Sequence, residues 1–279
     1  MPAGLPHSGA GHALRRGRVG DAVSARGGPH GAGAALGRPL VRLEEVTSTN
    51  DVARQLARVG LPEGTVVVAC RQTHGRGRLG RAWASPAGGL WCSVLLRPAP
   101  QPSWTVLSLV TALAVAEAVE AVAGVVARVR WPNDVVVAGR KVAGILLEAA
   151  ADALVVGVGI NANVAPEALP PEVRARAASL AAAAGRPVDL EDLRQALLGR
   201  LAAWYAAWQA GVDLADAWAR RDALAGRRIT VRTPDAAVEG IADGVAADGA
   251  LRVRLGGGEV RHVLAGDLLI LDADDHRPG

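Results

Sequence analysis

The sequence stands out first for the residues that it barely uses. Its 279 residues include no phenylalanine, one tyrosine, one methionine and a single lysine, Lys141, among 31 basic residues. A very GC-rich coding sequence produces this bias. Arginine replaces lysine wherever a solvated charge is sufficient, but not where a compact, freely rotating ammonium must reach one position. The one lysine that is retained therefore indicates a chemical role for Lys141.

Cysteine is almost absent, and this excludes a disulfide framework. Cys70 and Cys92 both lie in strand-like apolar runs without metal-ligating neighbours, so we predict two buried thiols in a reducing compartment. The longest apolar stretch, residues 106–126, contains two glutamates and predicts no membrane span. No apolar stretch follows Arg15-Arg16, which argues against an export signal. We therefore expect a cytoplasmic protein.

The basic character of the chain is confined to its first residues. Residues 1–42 contain six arginines and one acidic residue, whereas the rest carries 25 basic and 26 acidic residues. Residues 1–38 are rich in Gly, Ala, Pro and Arg and show no periodicity, so we predict a disordered basic tail. A neutral body argues against a nucleic-acid-binding domain, although a regulator that binds nucleic acid through its arginines stays an alternative.

The hydrophobic pattern predicts an α+β fold in two parts. Residues 39–224 alternate between buried strands and helices, whereas short alternating strands between Gly and Asp turns follow Gly226 and predict a small barrel over residues 225–273. Ser48 or Thr49, Ser103 and Asp189 are the expected helix caps, and Ala138-Gly139 is the expected hairpin turn. The predicted strands are 41–46, 65–70, 90–97, 127–131, 135–137, 141–148, 154–160, 229–232, 238–246, 251–255 and 259–264, and the predicted helices are 51–59, 104–123, 189–211 and 214–224.

A glycine-rich loop, residues 75–80, matches G-x-G-x-x-G letter for letter. No helix follows it, and no acidic residue lies between Glu63 and Glu117, so it does not fit the dinucleotide-binding fingerprint. Arg81-Ala82 stands where a P-loop needs Lys-Ser/Thr. What remains is a flexible loop whose arginines can close on a phosphate through guanidinium and backbone N–H groups. A merely solvated basic loop is the alternative.

Two further segments could hold a ligand. Trp131-Pro132-Asn133-Asp134 ends a strand, and its amide and carboxylate could hold adenine, ribose or Mg²⁺, or form a simple turn. Residues 157–161 place glycines inside a strand, which is typical of a site where a ligand lies against backbone. Trp218 is more typical of a core residue than of a stacking platform.

Taken together, five segments resemble biotin protein ligases in order and spacing. They are Ser48-Thr49-Asn50, Gln72 with residues 75–83, residues 131–134, residues 139–146 and residues 157–161. The resemblance covers residues 41–272. It implies a mixed β-sheet catalytic domain backed by helices, related to class II tRNA synthetases, and a C-terminal SH3-like β-barrel.

The resemblance also implies a reaction. Biotin and ATP, with Mg²⁺, would give biotinyl-5′-AMP and pyrophosphate, and a lysine of a biotin carboxyl carrier domain of a carboxylase would then take the biotin. Family members that repress transcription carry a winged helix, which the tail does not resemble, so we expect no specific DNA binding and no membrane partner. A homodimer is left open. A lipoate or octanoate ligase or transferase of the same core fold is the alternative enzyme.

The resemblance assigns roles to individual residues. Lys141, Arg78 and Asp134 would be catalytic, and Mg²⁺ with ATP would lie near Asp134. The residues implied for biotin are Ser48, Thr49, Asn50, Gln72, Gly75, Arg76, Gly77, Arg78, Lys141, Gly144 and Gly159. Those implied for the nucleotide are Arg78, Arg81, Trp83, Asn133, Lys141, Asn161 and, as a looser match, Trp218.

Overall fold

The computed structural model describes residues 36–99, 104–150 and 152–271, all within one compact unit. Residues 1–35, which make up most of the predicted tail, lie outside the described residues, as does the expected cap Ser103.

A seven-stranded mixed sheet forms the centre of the fold. Its strand order is β1-β2-β3-β7-β6-β5-β4, in which β1 and β2 run parallel and every other neighbouring pair is antiparallel. The mixed sheet of the predicted fold class is therefore confirmed. Its strands are β1 (Leu40–Val46), β2 (Val66–Gln72), β3 (Leu90–Leu96), β4 (Arg128–Arg130), β5 (Asp134–Val137), β6 (Arg140–Ala150) and β7 (Ala153–Ile160).

Helices cover both faces of this sheet. Helix α1 packs on one face through Ala53 and Ala57, against apolar residues of β2, β3 and β7. The main core lies on the other face, under α2 and α5. The side chain of Asp189 accepts hydrogen bonds from the first-turn amides of α5, as the sequence predicts. The helices are α1 (Thr49–Arg58), α2 (Thr105–Ala123), α3 (Pro171–Arg174), α4 (Leu180–Ala184), α5 (Leu190–Gln209) and α6 (Ala215–Ala219).

Helix α2 is apolar around most of its circumference. Thirteen of its nineteen residues are buried, because the sheet lies on one side of it and α5 on another. It is long and apolar enough to cross a membrane, but 78% of its most apolar window is buried inside the domain, as expected for a central core helix.

The residues after α6 form a separate five-stranded antiparallel sheet with the order β11-β10-β9-β8-β12. This matches the predicted small C-terminal barrel. The sequence pattern gave no bounds for its last strand, which the structure places at Asp267–Ile270. The barrel is joined to the catalytic part by the Trp131 indole N–H, which donates to the Gly249 carbonyl at 3.1 Å. Its strands are β8 (Arg228–Arg232), β9 (Ala237–Val245), β10 (Leu251–Arg254), β11 (Val260–Val263) and β12 (Asp267–Ile270).

Two sequence-based expectations are wrong. Cys70 is exposed rather than buried, at a position of β2 beyond the last residue that pairs with β3, Ala69. The predicted helix 214–224 ends at Ala219, because Ala223 bonds to Val129 instead of continuing the helix. The predicted turn at Ala138-Gly139 is confirmed, with φ of +47° and +75°.

Candidate functional site

A large cleft of about 720 Å³ lies between the sheet, the glycine-rich loop and the barrel. The loop contributes one wall, β5 to β7 contribute another, and β12 of the barrel closes one side. The predicted site residues that line it are Ser48, Thr49, Asn50, Gln72, Arg76, Gly77, Arg78, Arg81, Trp83, Asn133, Asp134, Lys141, Gly144, Gly159 and Asn161. The fold thus brings together residues that are more than a hundred positions apart in the sequence.

One part of the cleft is uncharged and densely hydrogen-bonded. We call Thr49, Asn50, Gln72 and Ser93 the polar floor. The Thr49 amide and hydroxyl donate to Gln72 Oε1 at 2.8 and 3.1 Å. The Ser93 hydroxyl lies 2.7 Å from Thr49 Oγ1 and 2.6 Å from Asn50 Oδ1. Buried polar groups held in this way have fixed orientations, so the floor presents a rigid pattern of donors and acceptors.

Glycines on β6 and β7 make this packing possible. A Cβ on Gly157 would come within 2.9 Å of Asn50 Cγ, and one on Gly159 within 2.6 Å of Trp83 Nε1. A Cβ on Gly144 would lie 3.1 Å from the Trp83 ring. The strand glycines therefore leave room for Asn50 and Trp83, and the Trp83 ring lies over Gly144 and Gly159.

The opposite part of the cleft is cationic. We call Arg78, Arg130 and Lys141, with their partners Asn133 and Asp134, the cationic wall. Lys141 Nζ lies 2.5 Å from Asp134 Oδ1 and 4.9 Å from the centre of the Trp83 ring. Arg130 pairs with the other Asp134 oxygen at 3.1 Å. One largely buried carboxylate therefore pairs with two cations, and the group keeps a net positive charge at the edge of the cleft.

The loop arginines have three different surroundings. Arg78 is half-buried, and burial lowers the pKa of its guanidinium, an effect that Asp267 and Asp134 oppose. Its side chain donates to Asn133 Oδ1 at 3.5 Å. Arg81 is exposed and forms an ion pair with Asp267 at the start of β12. Between them, Leu79 is exposed and adopts a left-handed backbone with φ of +56°, which marks the tip of the loop.

Arg76 points away from the other two. Its guanidinium makes a two-pronged pair with Asp51 at 2.7 and 2.8 Å and contacts Glu148 at 3.2 Å. The Asp51 hydrogen bond raises the pKa of Arg76, and the Arg76 hydrogen bond lowers the pKa of Asp51. The side chain of Arg76 thus holds the loop to the protein, while other atoms of the residue line the cleft.

Two predicted site residues do not line the cleft. Trp218 is fully buried in the main core, in agreement with the interpretation of this residue as a core position. Gly75 is buried beneath the loop, where a Cβ would meet Ser85 Oγ at 2.5 Å. Its small size lets the two ends of the loop approach each other.

Sequence reasoning also missed several residues that line the cleft or support the residues lining it. Ser93 is the one polar residue in the buried strand Leu90–Leu96, a signal that could have identified it. Glu148 interrupts an apolar strand in the same manner. Arg176 and Arg232 line the cleft from loops and barrel, but nothing in their local sequence distinguishes them from the other arginines.

Comparisons with known proteins agree with this geometry. Residues 43–164 match the sequence profile of the biotin/lipoate A/B protein ligase family, and residues 225–271 match that of the biotin protein ligase C-terminal domain. The chain is 39% identical to the biotin--[acetyl-CoA-carboxylase] ligase of Paracoccus denitrificans over 76% of this chain and 92% of that protein.

Two more relatives place these matches in context. The chain is 39% identical to the bifunctional ligase/repressor BirA of Bacillus subtilis over 58% of its own length, and the match spans about half, 52%, of that longer protein. The biotin protein ligase from Aquifex aeolicus, solved in complex with biotin and ATP, superposes with a TM-score of 0.76 at 30% identity, over 85% of this chain and 100% of that chain. On these matches, the chain belongs to the family of biotin protein ligases.

Proposed function

We propose that this protein uses ATP to activate biotin as biotinyl-5′-AMP and then transfers biotin to a lysine of a biotin carboxyl carrier domain. The observation that carries the proposal is the composition of the cleft, in which a neutral polar floor adjoins a cationic wall containing the chain's one lysine. The biotin and ATP bound to the Aquifex aeolicus relative support the same assignment.

The polar floor suits the ring end of biotin. A cyclic urea is neutral and both donates and accepts hydrogen bonds, and it therefore needs fixed amide and hydroxyl partners rather than charges. Ser48, Thr49, Asn50 and Gln72 supply such groups at one end of the cleft. Gly144 and Gly159 would keep the backbone close to the rest of the ligand.

The cationic wall suits the reacting end. In the first step a biotin carboxylate oxygen forms a bond to the α-phosphorus of ATP while the bond to the pyrophosphate oxygen breaks. Both reactants are anions, so fixed cations aimed at the developing charge are the main requirement. Lys141 and Arg78 would fill this role at the carboxylate and the α-phosphate. Asp134 positions the Lys141 ammonium through their 2.5 Å ion pair.

In the second step the carrier lysine reacts as a neutral amine. Its nitrogen forms a bond to the biotin carbonyl carbon, AMP leaves with the bonding electrons, and the amine loses a proton to solvent. Between the two steps the mixed anhydride must be kept from water. The exposed loop tip at Leu79 and the half-buried Arg78 are placed to close over the intermediate.

The donor set fits Mg²⁺ that arrives with ATP. Among the described residues no group of three or more His, Cys, Asp or Glu side chains converges. Mg²⁺ is usually held by one or two carboxylates together with substrate phosphates and water. Asp134 lines the cleft beside the cationic wall and would be its protein ligand. Bound there, the ion would neutralise phosphate charge.

A biotin-dependent ATP–pyrophosphate exchange assay tests the proposal. We expect exchange with biotin and none above background with lipoate or octanoate at the same concentration. The match of the barrel to the biotin protein ligase C-terminal domain supports this order of preference. Exchange with lipoate or octanoate that equals or exceeds exchange with biotin would make the protein a ligase of the alternative class.

A further inference from the structure

Four charged side chains meet at the root of the glycine-rich loop, behind the cleft rather than in it. Arg76 pairs with Asp51 and Glu148, and Arg54 approaches the same two carboxylates. The side chains are only 21–34% exposed. Their charges cancel, and partial burial strengthens the attraction within the cluster. The loop is thus tied to α1 and to β6 by its second residue.

Glu148 connects this cluster to the polar floor. Its carboxylate accepts a hydrogen bond from Asn50 Nδ2 at 2.7 Å while it contacts Arg76. The other end of the Asn50 amide lies 2.6 Å from the Ser93 hydroxyl, and the Gly157 backbone closes its remaining side. Asn50 therefore cannot rotate without breaking its bond to Glu148.

The far end of the loop is tied to the same floor. Gln72 Nε2 donates to Ser85 Oγ at 2.8 Å, and the Ser85 hydroxyl donates to the Trp83 carbonyl at 3.1 Å. The Trp83 amide in turn donates to the Gly75 carbonyl at 2.9 Å. One root of the loop is therefore held by the charged side chains Asp51 and Glu148, and the other is held by neutral hydrogen bonds that begin at the cleft-lining Gln72.

We propose that Glu148 is a positioning residue, which couples the order of the glycine-rich loop to occupancy of the polar floor. Glu148 and Asp51 do not line the cleft, so neither touches a ligand there. Asn50 holds Glu148 and Glu148 holds Arg76, so a ligand that hydrogen-bonds to Asn50 is linked to the root of the loop through these two contacts. The proposal rests on the proposed function in one respect only, namely that biotin is the ligand of the floor.

Limited trypsin digestion of the full chain tests the coupling. Trypsin can cut the Arg78–Leu79 bond, next to the exposed loop tip, and mass spectrometry identifies that cut. Glu148→Gln keeps an oxygen that can accept from Asn50 but removes the charge that holds Arg76. We expect this cut to be about tenfold faster in the variant than in the parent without ligand, which equals about 1.4 kcal/mol of lost local stability.

The same variant separates positioning from chemistry. We expect the biotin KM in the exchange assay to rise about tenfold, since each tenfold is 1.4 kcal/mol, and kcat at saturating biotin to change less than twofold. At a fixed biotin concentration, biotin should protect the loop of the variant from trypsin less than that of the parent, because the KM for biotin is higher. Glu45→Gln is the matched control, because it neutralises a carboxylate of the exposed Arg71–Glu45 pair at 2.9 Å on neighbouring strands. It should leave the cleavage rate and both kinetic constants unchanged.

Asp51→Asn provides a second route if Glu148→Gln melts at a much lower temperature. This substitution weakens the ion pair between α1 and Arg76, and Asp51 does not contact Asn50. Cleavage of the loop should therefore be faster than in the parent, and the biotin KM should rise less than in Glu148→Gln. The decisive variant is the one that keeps the parental melting temperature. If trypsin cuts its loop at the parental rate, the proposal is wrong. Failure of the parent to bind biotin would refute the proposed function, but the cleavage rates in the absence of ligand would still test the anchor.

Discussion

The two ends of the cleft are built by opposite means. The polar floor consists of neutral groups whose hydrogen bonds are made mostly with one another, between residues of β2, β3 and α1. The cationic wall consists of charged groups held by a single carboxylate, Asp134, and by the ring of Trp83. A neutral ligand group gains most binding free energy from hydrogen-bonding partners with fixed orientations. An anionic ligand can instead take the place of the carboxylate that pairs with the cations. The comparison predicts that the two ends respond differently to substitution.

The largest effect should come from the cationic wall. Lys141→Arg keeps the charge, but the planar guanidinium cannot occupy the position of a compact ammonium between Asp134 and Trp83. We expect adenylate formation to slow by two to three decades, since loss of one preorganised cation or oxyanion donor costs ~3–4 kcal/mol in the transition state. Single-turnover adenylate formation measures this loss. An unchanged melting temperature is the control, and near-parental chemistry would remove the role assigned to the single lysine.

A smaller effect should come from steric pressure on the polar floor. Gly157→Ala places a methyl group within 2.9 Å of Asn50 Cγ. Overpacking of this kind costs about 1–3 kcal/mol in folding free energy, and displacement of Asn50 should weaken biotin binding. Calorimetric titration with biotin and chemical denaturation measure the two effects. Gly199→Ala is the control, because a Cβ at this position on α5 would meet open space. Equal biotin affinity and equal stability of the two variants would mean that Asn50 is not fixed by packing.

Arg78→Ala should affect retention of the intermediate more than folding. Its half-buried guanidinium donates a hydrogen bond to Asn133, and Gly77 precedes it in the chain, so little packing is lost. A charge-assisted hydrogen bond contributes about 1.5–3 kcal/mol, and we expect biotinyl-AMP to escape correspondingly faster. Biotinylation of an added bystander protein reports the escape. If bystander labelling does not increase, Arg78 does not retain the adenylate.

The smallest effect is expected from the N-terminal segment. Within the described part of the chain the cleft-lining residues begin at Ser48, whereas Leu36 packs against the core and Gly37 bonds to Gly64. A chain that starts at Leu36 should therefore keep its kcat/KM for biotinylation within about twofold, well below 1.4 kcal/mol. A loss of tenfold or more would assign part of the site to the removed segment.

The sequence was informative where local chemistry decides structure. The Asp189 cap, the Ala138-Gly139 turn and the buried alternating strands depend on neighbouring residues and were predicted to within a few positions. The short helices α3 and α4 were not predicted, because segments of four and five residues are too short to show a helical period. The pairs of Lys141 with Asp134 and of Arg78 with Asn133 join residues that were all predicted for the site, but the partners of Arg76 and Arg81 were not predicted.

The missed partners have a common physical reason. Glu148 and Asp51 became meaningful only when β6 and α1 brought them to Arg76, from 72 and 25 positions away. The opposite error at Cys70 arose because an apolar run predicts burial without specifying how far the neighbouring strand extends. Trp218 followed the more ordinary of the two expectations, since a large aromatic residue near the end of a helix packs into the core more often than it stacks on a ligand.

Helix α2 has a consequence for how the chain is made. It is synthesised before β4 to β6 and before α5, all of which contact it in the finished fold. Until α5 has been made, the apolar surface of this nineteen-residue helix that α5 covers is exposed. Chains that expose such segments during synthesis are prone to aggregate and to need chaperones. Expression fragments that end before Leu190 should therefore accumulate as insoluble material, whatever their intrinsic chemistry.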